Sequence, residues 1–465
     1  MPTCARPNVL LILTDDQRHD TLSAVGHEIL ATPNLDRLAG RGTLFTHAHI
    51  PGGTSGAICM PSRAMLHTGR TLFHIQGRGE AVAPDHALLG ETLGRAGYRT
   101  YATGKWHNGP AGFNRSFADG DDIFFGGMTD HWNVPAFSYD PSGRYATQLP
   151  YIADPFHNNT VAFRHGERIR AGRHSTDLLA DTAIRFLEQQ DGAAPFFLSV
   201  AFLAPHDPRT APEPYLVRFR PADMPLPPNF QAQHPFDTGH LRGRDENLAA
   251  HPRDPDEVRR HIAEYYATIA HLDAGVGRIL DALERRGLAG NTLVVFAGDN
   301  GLALGQHGLM GKQQLYDHSI RVPLILAGPG VPAGQRRDAL VYLLDIFPTL
   351  CDLAGLPTPA AVEGRSFAPA LADPARRVRT ELYLAMENTL RGCRDERHKL
   401  IEYRCRGVTA TQLFDLRQDP WETHNLAGDP ACAGTLADLR RRLLRLRDEW
   451  DDTRHPCGQT FWGAS

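Results

Sequence analysis

The chain has 465 residues, more than one hydrophobic core usually supports, so we expect a large domain followed by a smaller one. Apolar residues make up 42% and charged residues 22%, as in ordinary globular proteins, which excludes a disordered chain. The 53 acidic and 49 basic residues leave a formal charge of −4, without the excess of Lys and Arg that a nucleic-acid partner would require.

Apolar segments of strand length alternate with amphipathic helices over the first 374 residues. The predicted strands cover residues 9–13, 98–103, 196–202 and 292–297. One helix begins after Thr32, with Pro33 at its first position. A second is capped by Ser175 or Thr176, and a long third one follows Asp254. This alternation predicts an α/β fold with a large, mostly parallel mixed sheet flanked by helices.

The organisation changes after about residue 374. Short strands are predicted at residues 382–385, 399–403 and 412–416, and a final helix carries leucines at helical spacing between residues 436 and 446. We therefore divide the chain into an α/β domain over residues 1–374 and a C-terminal α+β subdomain over residues 375–465. The subdomain is expected to hold an antiparallel sheet and a helix.

Polar side chains follow the predicted strands, at the edge where open parallel sheets bind ligands. They are, strand by strand, Asp15 and Asp16, Lys105 and His107, His206, and Asp299 and Asn300. Any one of them could be a turn or capping residue, because Asp and Asn favour such positions. Four coincidences at one edge favour a functional site.

Part of this set offers only oxygen donors, which suit Ca²⁺ or Mg²⁺ rather than Zn²⁺. These side chains are Asp15, Asp16, Asp299 and Asn300. Capping of a strand end is the plain alternative for the two adjacent aspartates, but their carboxylates would repel each other unless a cation neutralised them. We expect one divalent cation, Ca²⁺ before Mg²⁺.

The segment Cys59–Arg63, with the sequence Cys-Met-Pro-Ser-Arg, is predicted to open a short helix. Pro61 suits its first position and Gly69 suits its end. Cys59 would then lie at the helix entry, where free backbone amides favour an anion. A lone cysteine is more often a small buried apolar residue, but the glycines before this one indicate an approach loop.

Further motifs follow these segments in chain order. They are Asn8–Asp16 with Asp20, Cys59–Arg63 continuing to Arg70, Gly97–Thr100, Gly104–His107, Pro205–Pro208, Gly298–Gly301, Gly311–Lys312, Arg321–Pro323, Arg391–Leu400, and Leu413–Leu416 with Asp419–Leu426. Together they resemble the type I sulfatase family of the alkaline phosphatase superfamily. The resemblance spans nearly the whole chain, and it implies an alkaline phosphatase-like fold.

The resemblance implies that a maturation enzyme converts Cys59 to formylglycine, which hydrates to a gem-diol. One hydroxyl of the diol would attack sulfur, and loss of a proton from the other would expel sulfate. The implied metal ligands are Asp15, Asp16, the modified Cys59, Asp299 and Asn300.

The resemblance also implies roles for the remaining polar residues. Arg63 would hold the diol, and Lys105 and Lys312 would neutralise charge on the sulfuryl oxygens. His107 would be the base for the hemiacetal, and His206 the acid for the leaving oxygen. The matching reaction is hydrolysis of a sulfate ester.

The sequence is less informative about the substrate. The stretch from Asp130 to His157 supplies aromatic and histidine groups able to face a sugar ring, although ordinary loop packing by Trp132 and Phe137 explains them equally well. Arg209 and His318 are further candidates for substrate contact, which spacing alone does not show. A carbohydrate or other small alcohol is favoured as the carrier of the sulfate.

Two other functions stay open. A phosphodiesterase or phosphonate monoester hydrolase of the same superfamily is the first, although two-metal members need a His where Asn300 stands. A non-catalytic binder of sulfated ligands is the second, and it would follow if Cys59 were never modified. The intact Cys-x-Pro-Ser-Arg segment favours the sulfatase.

No apolar run reaches transmembrane length and no secretory leader is recognised, so we expect a cytoplasmic protein without a membrane partner. The seven cysteines, odd in number and scattered, do not resemble a disulfide framework. The expected partners are a small or oligosaccharide sulfate ester and a formylglycine-generating enzyme. The sequence leaves a homo-oligomer open.

Overall fold

The computed structural model describes residues 6–463, and within that range nine strands form one large sheet and five form a second. The strands are β1 (Asn8–Thr14), β2 (Gly42–His49), β3 (Gly52–Gly53), β4 (Arg99–Lys105), β5 (Asp119–Phe124), β6 (Asn133–Ala136), β7 (Gln148–Ile152), β8 (Val161–His165), β9 (Arg168–Ala171), β10 (Phe196–Ala201), β11 (Thr292–Gly298), β12 (Arg321–Ala327), β13 (Gln335–Arg337), β14 (Val341–Tyr342), β15 (Leu382–Met386), β16 (Leu390–Arg394), β17 (His398–Cys405) and β18 (Val408–Asp415).

The helices enclose the large sheet and end the chain. They are α1 (Pro33–Gly40), α2 (Cys59–Thr68), α3 (Leu89–Arg95), α4 (Pro110–Ser116), α5 (Ser175–Glu188), α6 (Glu213–Leu216), α7 (Pro255–Arg285), α8 (Asp317–Ile320), α9 (Ile346–Leu353), α10 (Ala368–Ala372), α11 (Ala433–Glu449) and α12 (Pro456–Gly463).

The large sheet is mostly parallel and confirms the predicted fold class. Its order is β13-β2-β12-β11-β1-β10-β4-β5, and β14 also pairs with β2. The run from β11 to β5 is parallel, whereas β12 lies antiparallel to both β11 and β2. Every residue of β1 is buried, as expected of a strand covered by helices on both faces.

Alternate side chains of β1 enter two separate cores. Val9, Leu11 and Leu13 pack into the core that continues to the C-terminal sheet, while Leu10 and Ile12 pack on the side of α5 and α7. This alternation follows from the two-residue period of a strand. The sheet therefore has apolar packing on both faces.

The second sheet contains a strand from the N-terminal part of the chain. Its order is β18-β17-β16-β15-β3, with the C-terminal strands antiparallel as predicted and β3 parallel to β15. α11 packs on this sheet through Leu439, Leu443 and Leu446. The domain boundary drawn at residue 374 stays a prediction, since β3 connects the two parts of the chain.

Two helix starts differ in detail from the prediction. The long helix α7 is capped by Asp254 as expected, through hydrogen bonds accepted from the next amides. Helix α5 is instead capped by His174, whose ring nitrogen accepts the N–H of Thr176. The hydroxyl of Thr32 does not cap α1 but accepts the N–H of Ser23.

Between residues 6 and 463, no helix is long and apolar enough to cross a bilayer. The six cysteines in that range are all unpaired, and Cys4 lies outside it. The segment between β10 and α7 is mostly irregular, and its many prolines account for this.

Candidate active site

The parallel register of β1 and β11 brings two pairs of oxygen-bearing side chains to one edge of the large sheet. Thr14 pairs with Gly298, so Asp15-Asp16 and Asp299-Asn300 leave the sheet side by side. The N–H of Asp16 donates to Asp299 Oδ1 at 3.1 Å, and Asn300 Nδ2 donates to Asp16 Oδ1 at 2.7 Å. All four side chains are buried, as a site enclosed at the strand ends requires.

Cys59 is the first residue of α2, so the predicted helix exists but begins two residues earlier than expected. Pro61 therefore occupies the third helical position rather than the first, which still costs no intrahelical hydrogen bond. The helix ends at Gly69 as predicted, with φ of 64°. Asn108 Nδ2 donates to the carbonyl of Met60 at 2.9 Å and ties the helix entry to the segment after β4.

Two nitrogen groups from the end of β4 face the thiol of Cys59. Lys105 Nζ lies 3.4 Å from Cys59 Sγ, and His107 Nδ1 lies 3.6 Å from it. Burial raises the pKa of the Cys59 thiol, and the charge of Lys105 only partly offsets this effect. The unmodified thiol is therefore a weak nucleophile at neutral pH.

Three cations neutralise the three carboxylates. Lys105 pairs with Asp15, and Lys312 Nζ lies 2.6 Å from Asp16 Oδ1. Arg63 Nε donates to Asp299 Oδ2 at 2.8 Å. Because these charges already balance, an added divalent cation would leave the site positive and attractive to an anionic ester.

The donor set fits a hard divalent cation. Asp15 Oδ1 and Asn300 Oδ1 are buried oxygen atoms without a hydrogen-bond partner among the described residues. Such atoms are costly unless something accepts their lone pairs, and a cation does so. Asp15, Cys59 and Asp299 also place one ligand atom each within 4.8 Å of one another.

Burial and neighbouring charges shift the pKa values of Asp15 and Asp299 in opposite directions. Burial and the charge of Asp15 raise the pKa of Asp299. Burial also acts to raise the pKa of Asp15, but Lys105 and the other cations hold it well below its usual range. Burial and the neighbouring Lys105 lower the pKa of His107 to about 2, so its imidazole is neutral and able to accept a proton.

His206 reaches the same carboxylates from the end of β10. Its Nε2 lies 3.5 Å from Asp16 Oδ2, and its Nδ1 donates to the carbonyl of Asp207 at 2.9 Å. His131 Nε2 donates to the carbonyl of His206 at 2.9 Å and holds this segment in place.

The backbone at two of these residues lies in the left-handed region. Asp16 has φ of 66° and His107 has φ of 71°, which is uncommon for residues other than glycine. Such conformations cost free energy and are concentrated at functional sites. The structure thus brings the predicted cation ligands and the predicted catalytic side chains together, although their chemical roles remain predictions. His318, a candidate for substrate contact, is instead buried against the rings of Tyr316 and His307.

Among the proposed sugar-facing residues, Phe156 and His157 are exposed, whereas others are part of the protein core. Phe137 is buried against Tyr145 and Phe125, and His131 is buried beneath His206. Trp132 contacts His174 edge-on. Packing therefore accounts for these side chains better than contact with a sugar.

An acidic pair that the sequence does not predict, Asp245 and Glu246, holds the segment around Lys312. The Glu246 carboxylate accepts the N–H groups of Met310 and Gly311, each at 2.9 Å, and pairs with the buried Arg253. Gln313 Nε2 donates to Asp245 at 3.1 Å. Asp245 and Glu246 lie in an irregular, proline-rich segment, whose pattern contains no signal for this role.

Two family models together match most of the chain. The family model "Sulfatase" matches residues 7–356, and the model "N-sulphoglucosamine sulphohydrolase, C-terminal" matches residues 305–449. A multifunctional alkaline phosphatase superfamily protein of Trinickia caryophylli is 31% identical over 95% of both chains. An arylsulfatase of Clostridium perfringens is 29% identical over 95% of this chain and 94% of its own.

Solved structures agree with these relatives. The phosphonate monoester hydrolase of Agrobacterium radiobacter superposes with a TM-score of 0.75 at 27% identity, over 96% of both chains. A protein in complex with its substrate D-glucosamine-2-N,6-O-disulfate superposes with a TM-score of 0.74 at 24% identity, over 96% of this chain and 98% of its own. The chain therefore belongs to the type I sulfatase family of the alkaline phosphatase superfamily, a family of sulfuric ester hydrolases.

Proposed function

We propose that the protein hydrolyses a sulfate ester of a carbohydrate or other small alcohol, with formylglycine made from Cys59 as the nucleophile and one divalent cation beside it. The observation that carries this proposal is the position of Cys59 Sγ. It lies at the start of α2 within 3.6 Å of both Lys105 and His107, and within 4.8 Å of carboxylate oxygens of Asp15 and Asp299.

Asp15, Asp16, Asp299 and Asn300 would hold the cation, with Ca²⁺ favoured over Mg²⁺ because the donors are carboxylate and amide oxygens. A divalent ion supplies Lewis acidity to the sulfuryl oxygens when bound. Lys105 and Lys312 add positive charge on the same side, where negative charge develops in the transition state.

The hydrated aldehyde of formylglycine would provide one hydroxyl for attack on sulfur and a second for the release of sulfate. His107 is neutral and lies beside position 59, so it is placed to take the proton of the second hydroxyl. His206 donates its Nδ1–H to a carbonyl and directs Nε2 toward the site, so with a second proton on Nε2 it is placed to protonate the leaving oxygen.

Similarity to proteins that act on sulfated sugars supports a saccharide substrate. One structural neighbour binds a disulfated glucosamine, and a relative of Bacteroides thetaiotaomicron at 26% identity is an N-acetylglucosamine-6-O-sulfatase. A formylglycine-generating enzyme would be a required partner of this activity.

Hydrolysis of phosphonate monoesters or phosphodiesters is the second candidate. The superposition on the phosphonate monoester hydrolase and the 31% identity with a multifunctional superfamily protein favour it. Asn300 at the cation site argues against a two-metal enzyme, which would need a His there.

The test begins with the mass of the peptide that contains Cys59, which we expect to show the replacement of the thiol by an aldehyde. The same preparation is then assayed on matched sulfate monoesters, phosphate monoesters, phosphate diesters and phosphonate monoesters. We expect the highest kcat/KM for sulfate. Faster turnover of a phosphorus ester would favour the second candidate, and an unmodified Cys59 with no turnover would favour a binding protein.

A further inference from the structure

One buried arginine has an unusual environment. The buried arginines among residues 6–463 are Arg18, Arg63, Arg209, Arg253, Arg337, Arg391 and Arg394. All but Arg209 donate to a carboxylate or to main-chain carbonyls. Arg209 instead donates only to a ring nitrogen, His261 Nδ1, at 3.2 Å. A buried guanidinium without an oxygen acceptor is costly, so a partner is expected.

The unpartnered part of Arg209 is the edge formed by Nε and Nη2. These two N–H groups are parallel and match the two oxygens of a carboxylate or sulfate. In the described part of the chain, no carboxylate lies within ion-pair distance of Arg209. Asp207 Oδ1 and Thr210 Oγ1, close to it in sequence, are also buried without a hydrogen bond to any described residue, although Asp207 Oδ1 lies 3.5 Å from His206 Nδ1.

His261 positions the guanidinium without neutralising its charge. Burial and the charge of Arg209 lower the pKa of His261 to about 4, so the ring is neutral. Its Nε2 donates to the carbonyl of Leu248 at 3.1 Å, which leaves Nδ1 free to accept from Arg209. The site therefore keeps a fixed positive charge.

This charge lies near the active site, on the far side of one aromatic ring from Asp16. Arg209 follows His206 by three residues, and its guanidinium is 5.9 Å from the ring of Tyr265. The Tyr265 hydroxyl donates to the carbonyl of Asp16 at 2.7 Å. One aromatic side chain thus separates the guanidinium from the backbone of a candidate cation ligand.

We propose that Arg209 binds an oxyanion on the alcohol part of the substrate, so that the preferred ester carries a second sulfate or a carboxylate near the scissile sulfate. This inference rests on the proposed sulfatase activity. The Thr210 side chain makes no hydrogen bond that would oppose its turning aside to admit the oxyanion. The oxyanion would bind at the Nε–Nη2 edge, because these are the nitrogen atoms of Arg209 without a hydrogen-bond acceptor among the residues that the structure describes.

The test compares esters that share the scissile sulfate. One pair is a hexosamine 6-sulfate and the corresponding 2-N,6-O-disulfate; the other is a hexose 2-sulfate and the corresponding hexuronate 2-sulfate. We expect the wild-type enzyme to prefer the dianionic member of at least one pair. Arg209→Ala should lower that preference, as a ratio of kcat/KM values, by about 10–10²-fold, mainly through KM. A lower ratio for the hexosamine pair would show that Arg209 binds a sulfate, and a lower ratio for the hexose and hexuronate pair would show that it binds a carboxylate.

Arg260→Ala is the matched control, because this arginine contacts the same histidine from the exposed side and pairs with Glu264. It removes an equal charge but should leave the ratio at the wild-type value. Equal losses on both members of a pair in Arg209→Ala would overturn the proposal, as would a wild-type enzyme without preference.

If Arg209→Ala does not fold, Arg209→Lys retains the charge but not the two-point geometry, and it should lower the same ratio. Binding of the desulfated, anionic product to the Cys59→Ala variant, measured by calorimetry, gives a readout without turnover. Hydrolysis of neither member of a pair by an enzyme with modified Cys59 would contradict the sulfatase proposal itself. If adding Arg209→Ala to the Cys59→Ala variant left the product affinity unaltered, only the role of Arg209 would be contradicted.

Discussion

At the scale of single residues, the two unpartnered oxygens of Asp15 and Asn300 lead to a prediction about the metal content. The purified enzyme should contain one Ca²⁺ per chain, bound by oxygen ligands, because three carboxylates and one amide from the protein are a donor set typical of Ca²⁺. Metal analysis and anomalous scattering measure this directly. A pair of zinc ions in the site would contradict both the prediction and the proposed mechanism.

Replacement of Cys59 should separate attack on sulfur from release of sulfate. Cys59→Ala should abolish sulfate-ester hydrolysis while the protein stays folded, because in the proposed mechanism this position supplies the nucleophile. Cys59→Ser should accumulate a sulfated enzyme, since serine has a single hydroxyl and lacks the one that expels sulfate. Intact mass spectrometry after incubation with substrate detects the adduct. Steady turnover by the serine variant would rule out the hemiacetal route.

His206 should matter most for substrates with a strongly basic leaving group. An alkyl or sugar alkoxide needs a proton as it departs, whereas a nitrophenolate leaves without one. His206→Ala should therefore lower kcat for a sugar sulfate by about 10²–10⁴-fold and for nitrophenyl sulfate much less. His107→Ala should slow both substrates alike if sulfate release limits turnover. Equal losses in the His206 variant would assign this side chain to sulfate binding or structure.

At the scale of secondary-structure elements, the two glycines of β3 predict different responses to the same substitution. Gly52 has φ of 109°, and a Cβ there would lie 2.1 Å from the carbonyl oxygen of Ala385. Gly52→Ala should therefore lower the free energy of unfolding by at least about 2 kcal/mol and reduce activity by displacing the loop before Cys59.

The neighbouring Gly53→Ala is the control, because its Cβ would come no closer than 3.3 Å to Ser55 and its φ is not positive. It should cost less than about 1 kcal/mol. Denaturant unfolding compares the two variants, and equal losses would show that the pairing of β3 with β15 contributes little.

The elements that the sequence predicts are those with a strong local pattern. β1, β10 and β11 are continuous apolar runs, and α7 has both an aspartate cap and a long helical period. β3 could not be predicted, since two glycines carry no strand signal and pair only because β15 comes close to them. Cys59 was placed at the helix entry from local chemistry, whereas the role of Glu246 depends on distant contacts and leaves no local trace.

At the scale of the whole molecule, His74 links the C-terminal region to the segment after α2. Its Nδ1 lies 2.6 Å from Glu363 Oε1, and its Nε2 lies 3.1 Å from Asp451 Oδ2. The hydrogen bond with Glu363 raises the pKa of His74 above its usual value of 6.5. The folded state therefore holds this proton more tightly than the unfolded state does.

The stability that His74 contributes is complete below the unfolded pKa and is lost as pH rises through the folded value. The melting temperature of the wild type should fall more between pH 6 and pH 9 than that of His74→Gln, which cannot be protonated. Thermal unfolding across that range, followed by circular dichroism, measures the difference. Parallel curves for the two proteins would show that this contact is not charged in the folded state.

The pairing of Gly52–Gly53 with Ala385–Met386 also sets an order of events during synthesis. The two segments are separated by about 330 residues, which a ribosome takes tens of seconds to add. Until β15 has emerged, the glycine segment has no strand to pair with, and the loop before Cys59 lacks one of its supports. During that interval the formylglycine-generating enzyme of the proposed function would have access to Cys59 on the growing chain, before the fold encloses this residue.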